Sequence, residues 1–137
     1  MDSILSGIAT STERLDRHMA SHDLWPRRFL ERREEMTPEL PARVYWPENT
    51  LEVQRVVQAA AADSIAVVPY GAGSGVCGGI APGQEAWIID TKRLNRVVEI
   101  DEAGMTCTVE AGLIGERLER ILNARGFSLG HFPSSIY

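Results

Sequence analysis

Residues 69–79 read PYGAGSGVCGG, five glycines in eleven positions, directly after the apolar run IAVVP (65–69). A segment so poor in side chains cannot build a core. It must be a loop, and the run before it a strand of buried type that delivers the chain into that loop. Upstream, RVYW (43–46) reads as a short strand stopped by Pro47, and NTLEVQRVVQAAAA (49–62) as a helix. Asn49 with Glu52 three residues on forms a capping box. Leu51, Val53, Val56, Val57, Ala60 and Ala61 recur at helical spacing. Strand, helix and strand joined by short turns make a βαβ unit, which is nearly always right-handed. The glycine loop therefore falls at the carboxyl end of its second strand, where open α/β sheets bind ligands.

The rest of the chain predicts an α+β fold. AWIID (86–90) is a further strand. RVVEID (96–101) and MTCTVE (105–110) flank EAG (102–104) and predict a hairpin in which Gly104 supplies a positive φ. LIGERLERILNARG (113–126) predicts a packed helix with Ile114, Leu118, Ile121 and Leu122 on one face, ended by Gly126. FSLGHFPSSIY closes the chain as loop or strand. Residues 1–40 are charged, weakly periodic and without clear strands, and read as a helical N-terminal region. There Ile4, Ile8, Leu15 and Met19 line one rough face, and a helix over 25–36 precedes the break TPELP (37–41). The main unit is residues 41–137.

Composition excludes several classes. The 137 residues carry a net charge of −5, which disfavours nucleic acid as a partner. No apolar run approaches the roughly 20 residues of a transmembrane span, and the N-terminus has no secretion-signal pattern. Cys77 and Cys107 have no metal-ligand spacing and read as unpaired thiols in a reducing cytoplasm. His18, His22 and His131 read as surface or hydrogen-bonded histidines. Trp25, Trp46 and Trp87 read as core or half-buried residues. Asp90 and Asp101 end strands and cap turns.

Three ligand readings of the glycine loop compete with a tight turn that binds nothing, and five glycines after one strand favour binding. Successive N–H groups without side chains point into one concavity, which suits an anion, phosphate above all. A nucleotide triphosphatase loop would end in Gly-Lys-Ser/Thr, which is absent. GSGVCG (73–78) satisfies the dinucleotide pattern G-x-G-x-x-G, but that fold needs a helix opening at the glycines. GIAPGQEA (79–86) carries Pro82 and Gly83 and is too short for a crossover helix. The remaining reading is a strand–loop–strand that binds pyrophosphate on main-chain N–H groups alone.

That arrangement resembles the FAD-binding (PCMH-type) domain of the vanillyl-alcohol-oxidase-like flavoenzymes. Their pattern Pro-x-Gly-Gly/Ala-Gly-Thr/Ser with a second Gly-Gly is matched by Pro69, Tyr70, Gly71, Ala72, Gly73, Ser74, Gly78 and Gly79. Downstream, Asp90, Leu94, Asn95, Arg96, Asp101, Val109, Glu110, Ala111 and Gly112 are similar to further family positions. GHFPSSI (130–136) resembles the segment before the family's next Gly-Gly, and PARVYWPENTLEVQRVV its opening strand and helix. The nearest branch is the D-lactate/glycolate dehydrogenase and alkyldihydroxyacetonephosphate synthase group. The resemblance implies the first subdomain of such a domain, with FAD contacts from Pro69, Tyr70, Gly71, Ala72, Gly73, Ser74, Gly75 and Val76, and from Pro133, Ser134, Ser135, Ile136 and Tyr137. It implies oxidation of a 2-hydroxy acid or alcohol, or acyl-for-alkyl exchange as in the synthase, or a non-catalytic module that kept the fold. With no histidine in residues 69–79, FAD is expected to be non-covalent, and Cys77 to be a small filler. Family members continue far beyond the segment matching Tyr137. The substrate site and catalytic residues are therefore expected in a following domain, this chain alone inactive, and its uncovered apolar face prone to self-association.

Overall fold

The computed structural model describes residues 4–27, 30 and 39–137. Strands β1 (Ala9–Ser11), β2 (Arg43–Trp46), β3 (Val67–Tyr70) and β4 (Trp87–Asp90) form one sheet in the order β1-β2-β4-β3. β4 runs parallel between β2 and β3, with Val44 opposite Ile88 and Pro69 opposite Ile89. β1 lies antiparallel against β2, Thr10 opposite Tyr45. Helices α1 (Arg14–Met19), α2 (Thr50–Ala62) and α3 (Gly115–Asn123), a 3-10 turn at Thr91–Arg93, and a hairpin of β5 (Val97–Asp101) and β6 (Thr106–Val109) accompany the sheet. The α+β class and the βαβ unit stand as expected. The helix expected over 25–36 falls largely outside the described residues, as do 37 and 38 of the break at 37–41.

The core sits on both faces of the sheet because side chains alternate along a strand. Tyr45, Trp87 and Ile89 pack with Val56, Ala59 and Ala60 of α2 on one face, joined by Ile8. Val44, Ile88 and Tyr70 pack with Ala20 on the other. All four residues of β4 are buried. The run expected to be the buried strand, β3, is instead an edge: Val67 and Val68 are half-buried and Pro69 is exposed. β4 has inserted between β2 and β3, and an edge is where a proline without an N–H is tolerated.

α2 begins as its sequence dictates. The Asn49 side chain accepts from the N–H of Glu52 at 3.0 Å, while the Glu52 carboxylate accepts from the N–H of Glu48 at 2.8 Å. The N-terminal region departs from expectation. β1 joins the sheet, Ile8 is buried beside it, and Leu15 and Met19 are exposed, so these residues share no buried helical face. In the hairpin the positive φ belongs to Met105 at 53°, not to Gly104. Gly104 is required for a different reason. Its N–H donates to Asp101 Oδ1 at 2.9 Å, and a Cβ there would collide with that carboxylate. At the open end of the hairpin Arg96 donates to Glu110 from Nε at 3.1 Å and from its main-chain N–H at 2.8 Å. The guanidinium holds the Glu110 carboxyl below its ordinary value, first through the hydrogen bond.

On α3, Leu118 and Leu122 are buried and Ile121 half-buried, whereas Ile114 lies outside the helix. Glu119 is also buried. Its carboxylate accepts from the N–H of Leu129 at 2.8 Å and from the Ser128 hydroxyl at 3.1 Å, tying the returning chain to the helix. Among the described residues no helix is long and apolar enough to cross a membrane.

The placement of β4 predicts where stability concentrates. Ile88→Ala, at a fully buried position, should lose about 2–5 kcal/mol in urea unfolding. Val98→Ala, at a position 64% exposed on β5, should change stability by no more than about 0.5 kcal/mol.

Candidate functional site

From Gly71 to Ala86 the chain is loop, and β4 follows directly. No helix opens at the glycines, so the nicotinamide-dinucleotide arrangement is excluded. Among the described residues, none of the main-chain N–H groups of Gly71 to Ile80 donates to a protein acceptor. In a packed protein most main-chain donors are paired. A run of unpaired ones beside a cavity is a place for an external acceptor.

The loop's shape comes from its inner side. Gly73 has φ +67°, and a Cβ there would collide with the Tyr70 hydroxyl. That hydroxyl is fixed because it donates to the carbonyl oxygen of Met19 at 2.9 Å. Tyr70 is buried at the end of β3, and its carbonyl accepts from the Thr91 hydroxyl at 3.3 Å. Its phenol pKa is raised above the ordinary value of 10.0, by burial first and then by the carboxylates of Asp90 and Asp23. Gly71 differs from Gly73: nothing lies within 4 Å of where its Cβ would be.

Gly71 and Ala72 line a cavity of about 150 Å³ whose opposite side is Ser135, Ile136 and Tyr137. The two stretches singled out in the sequence, more than sixty residues apart, thus meet. Ile136 makes the junction. Its carbonyl accepts from the N–H of Glu116 at 2.9 Å, and its side chain lies against Gly115, the first residue of α3. The other expected site residues do not line this cavity. Pro69 is exposed on β3, Tyr70 lies beneath it, and Gly73, Ser74, Gly75, Val76, Pro133 and Ser134 are outside its lining. Cys77 is exposed and unpaired, so it fills no gap in the packing.

Lys92 and the segment Ala111 to Gly115 line the cavity without having been expected. Lys92 Nζ is 2.8 Å from Asp90 Oδ2 and 4.5 Å from the centre of the Tyr70 ring. The buried Asp90 also accepts from Trp46 Nε1 at 3.1 Å and from the N–H of Lys92 at 3.0 Å. A carboxylate that ends a strand thereby holds an ammonium beside the cavity. The signal was in the spacing: Lys92 sits two residues after Asp90, and Gly112 and Gly115 frame the start of α3. Among the described residues no group of three or more His, Cys, Asp or Glu side chains could hold a metal ion.

Amides without a partner among the described residues, set between parallel strands with a lysine alongside, define an α+β domain that offers an anion main-chain donors in place of a crossover helix. The donor set suits the pyrophosphate of a dinucleotide, and the cavity is large enough for only part of such a molecule. The chain belongs to the FAD binding domain family, which it matches over residues 41–137. FAD is therefore its cofactor class. It is 33% identical over 133 residues to alkyldihydroxyacetonephosphate synthase of Caenorhabditis elegans, covering 94% of this chain and 22% of the relative. It is 32% identical over 97 residues to glycolate oxidase subunit GlcD of Bacillus subtilis (strain 168), covering 71% of this chain and 21% of the relative. A solved structure of alkyldihydroxyacetonephosphate synthase superposes with a TM-score of 0.84 at 30% identity, over 93% of this chain and 24% of that one. The chain thus spans about a fifth to a quarter of the length of these proteins.

Gly73→Ala should destabilise by more than about 1 kcal/mol, from backbone strain plus collision. Gly71→Ala should stay within about 0.5 kcal/mol of the parent in thermal or urea unfolding. The raised Tyr70 pKa has a definite sign. The folded chain keeps the phenolic proton longer than the unfolded chain, so this contribution is intact below pH 10.0 and is lost as pH rises through the folded value. Tyr70→Phe should flatten that alkaline loss, measured by urea unfolding at stepped pH values.

Proposed function

We propose that this chain is the pyrophosphate-holding part of a flavin-dependent enzyme, with FAD bound non-covalently. The observation that carries this is the run of amides from Gly71 onward that has no protein acceptor among the described residues, and whose first residues share a cavity with Ser135 to Tyr137. In this reading the N–H groups of Gly71 to Val76 hold the diphosphate and the Ser74 hydroxyl adds a donor. Lys92 offsets part of the phosphate charge. Pro69 and Tyr70 shape the loop, and Pro133 to Tyr137 form the facing wall. Bound FAD supplies two-electron chemistry on its ring. The ring and the small-molecule substrate are held by a further domain of the kind the longer relatives have. The exposed Phe132 and Tyr137 suit a surface that such a domain covers. The two free thiols suit a reducing cytoplasm.

Of the two chemistries in these relatives, synthase-type exchange of an acyl for an alkyl group is favoured by extent. Similarity to the Caenorhabditis elegans synthase covers 94% of this chain and to a solved synthase structure 93%, against 71% for the glycolate oxidase subunit. Oxidation of a 2-hydroxy acid or alcohol, with D-lactate and glycolate as the acids to try, is the second reading, supported by that subunit.

Expressed with its native continuation, the protein should be yellow, and denaturation should release intact FAD into the supernatant. Gly71→Ala should weaken FAD binding several-fold while leaving stability in place. A colourless protein that ignores added FAD would overturn the proposal. Bleaching of the flavin by D-lactate or glycolate would select the oxidase reading, and alkyl exchange without net bleaching the synthase reading.

A further inference from the structure

We propose that residues Met19 to Trp25 are a brace that presets the glycine loop for its anion, with Trp25 as its positioning residue; this rests on the reading of the loop as a pyrophosphate site. The contacts are of three kinds. Leu24 donates its N–H to the carbonyl oxygen of Gly75 at 2.7 Å. Tyr70 donates its hydroxyl to the Met19 carbonyl at 2.9 Å, and that hydroxyl in turn excludes any side chain at Gly73. The Trp25 ring lies against Gly78, which has φ +75°. A Cβ on Gly78 would stand 2.6 Å from Trp25 Cε3. Asp23, only 2% exposed, accepts from the N–H of Trp25 at 3.0 Å and lies beside Gly75, which fixes the turn that presents the ring.

All of these contacts engage a loop carbonyl or the loop's inner surface. None engages a loop N–H. A ligand that had to order a free loop of five glycines would lose much of its binding energy to chain entropy. Holding the Gly75 carbonyl and packing against Gly73 and Gly78 orders the loop in advance and leaves its N–H groups unengaged by the brace. The brace lies before residue 41, where the family match begins, so part of the loop's support comes from outside the matched segment.

The test is the backbone order of Gly71–Gly79 by ¹⁵N relaxation in the ligand-free chain, together with FAD affinity of the protein carrying its native continuation. Wild type should give order parameters near ~0.85 and Trp25→Ala values below ~0.6, with α2 and β4 unchanged. FAD affinity should fall at least about tenfold in Trp25→Ala, and Trp25→Phe, which keeps a ring against Gly78, should restore both readouts. If Trp25→Ala lowers global stability, Leu24→Pro, which deletes the N–H given to Gly75, makes the same comparison. A loop that stays ordered in these variants overturns the brace, as does a loosened loop with undiminished FAD affinity. If wild type ignores FAD, the pyrophosphate reading fails, and the order parameters alone decide whether the brace exists.

Discussion

A main-chain N–H that finds no partner inside a protein is costly unless water or a ligand satisfies it. From Gly71 to Ile80 such groups find no protein acceptor among the described residues, while the Gly75 carbonyl is engaged from behind. That division is what the surrounding structure serves. β3 delivers the loop at a sheet edge, β4 takes the chain back into the centre, and Tyr70 anchors the first turn from beneath. Helix-based phosphate sites gain a dipole from aligned peptides. Here the donors come from a loop, so the conformation of that loop has to be secured by packing.

Charge around the site is arranged with the same economy. Asp90 closes β4, joins Trp46 on β2 and holds Lys92 over the Tyr70 ring. One buried carboxylate thus links two strands and places a cation beside an anion-binding cavity. The far wall is secured by α3. Glu119 holds the chain at Ser128 and Leu129, and Glu116 donates its N–H to Ile136. A segment with no regular secondary structure is thereby fixed opposite the glycines.

Much of the fold was legible because local rules agreed with the global arrangement. The βαβ unit, the Asn49 cap, the hairpin and α3 all follow from periodicity and capping chemistry. The errors arose where tertiary contacts outweighed local pattern. The run at 65–69 has the composition of a central strand, but strand order made it an edge. Gly104 has the residue type of a positive-φ turn, but the Asp101 carboxylate claims its missing side chain and Met105 takes the strained angle. Ala9–Ser11 has too few residues to be recognised as a strand until Tyr45 lies opposite it. In the site, Gly71, Ala72, Ser135, Ile136 and Tyr137 were singled out from sequence and do meet. Lys92 and Gly112 line the same cavity; their spacing after Asp90 and before α3 is local, but that the end of β4 and the start of α3 converge is decided by the fold.

Residue order alone makes 69–79 a loop after a strand and bars a following helix, because Pro82 and Gly83 forbid one within the available length. It also says what ligand chemistry bare amides suit. Which glycines are open and which are filled by a neighbour follows from the folded arrangement. Gly71 faces empty space, while Gly73 and Gly78 face Tyr70 and Trp25. Glycine's backbone freedom is a local property, but whether it serves a ligand or a packing contact depends on what distant chain is brought against it.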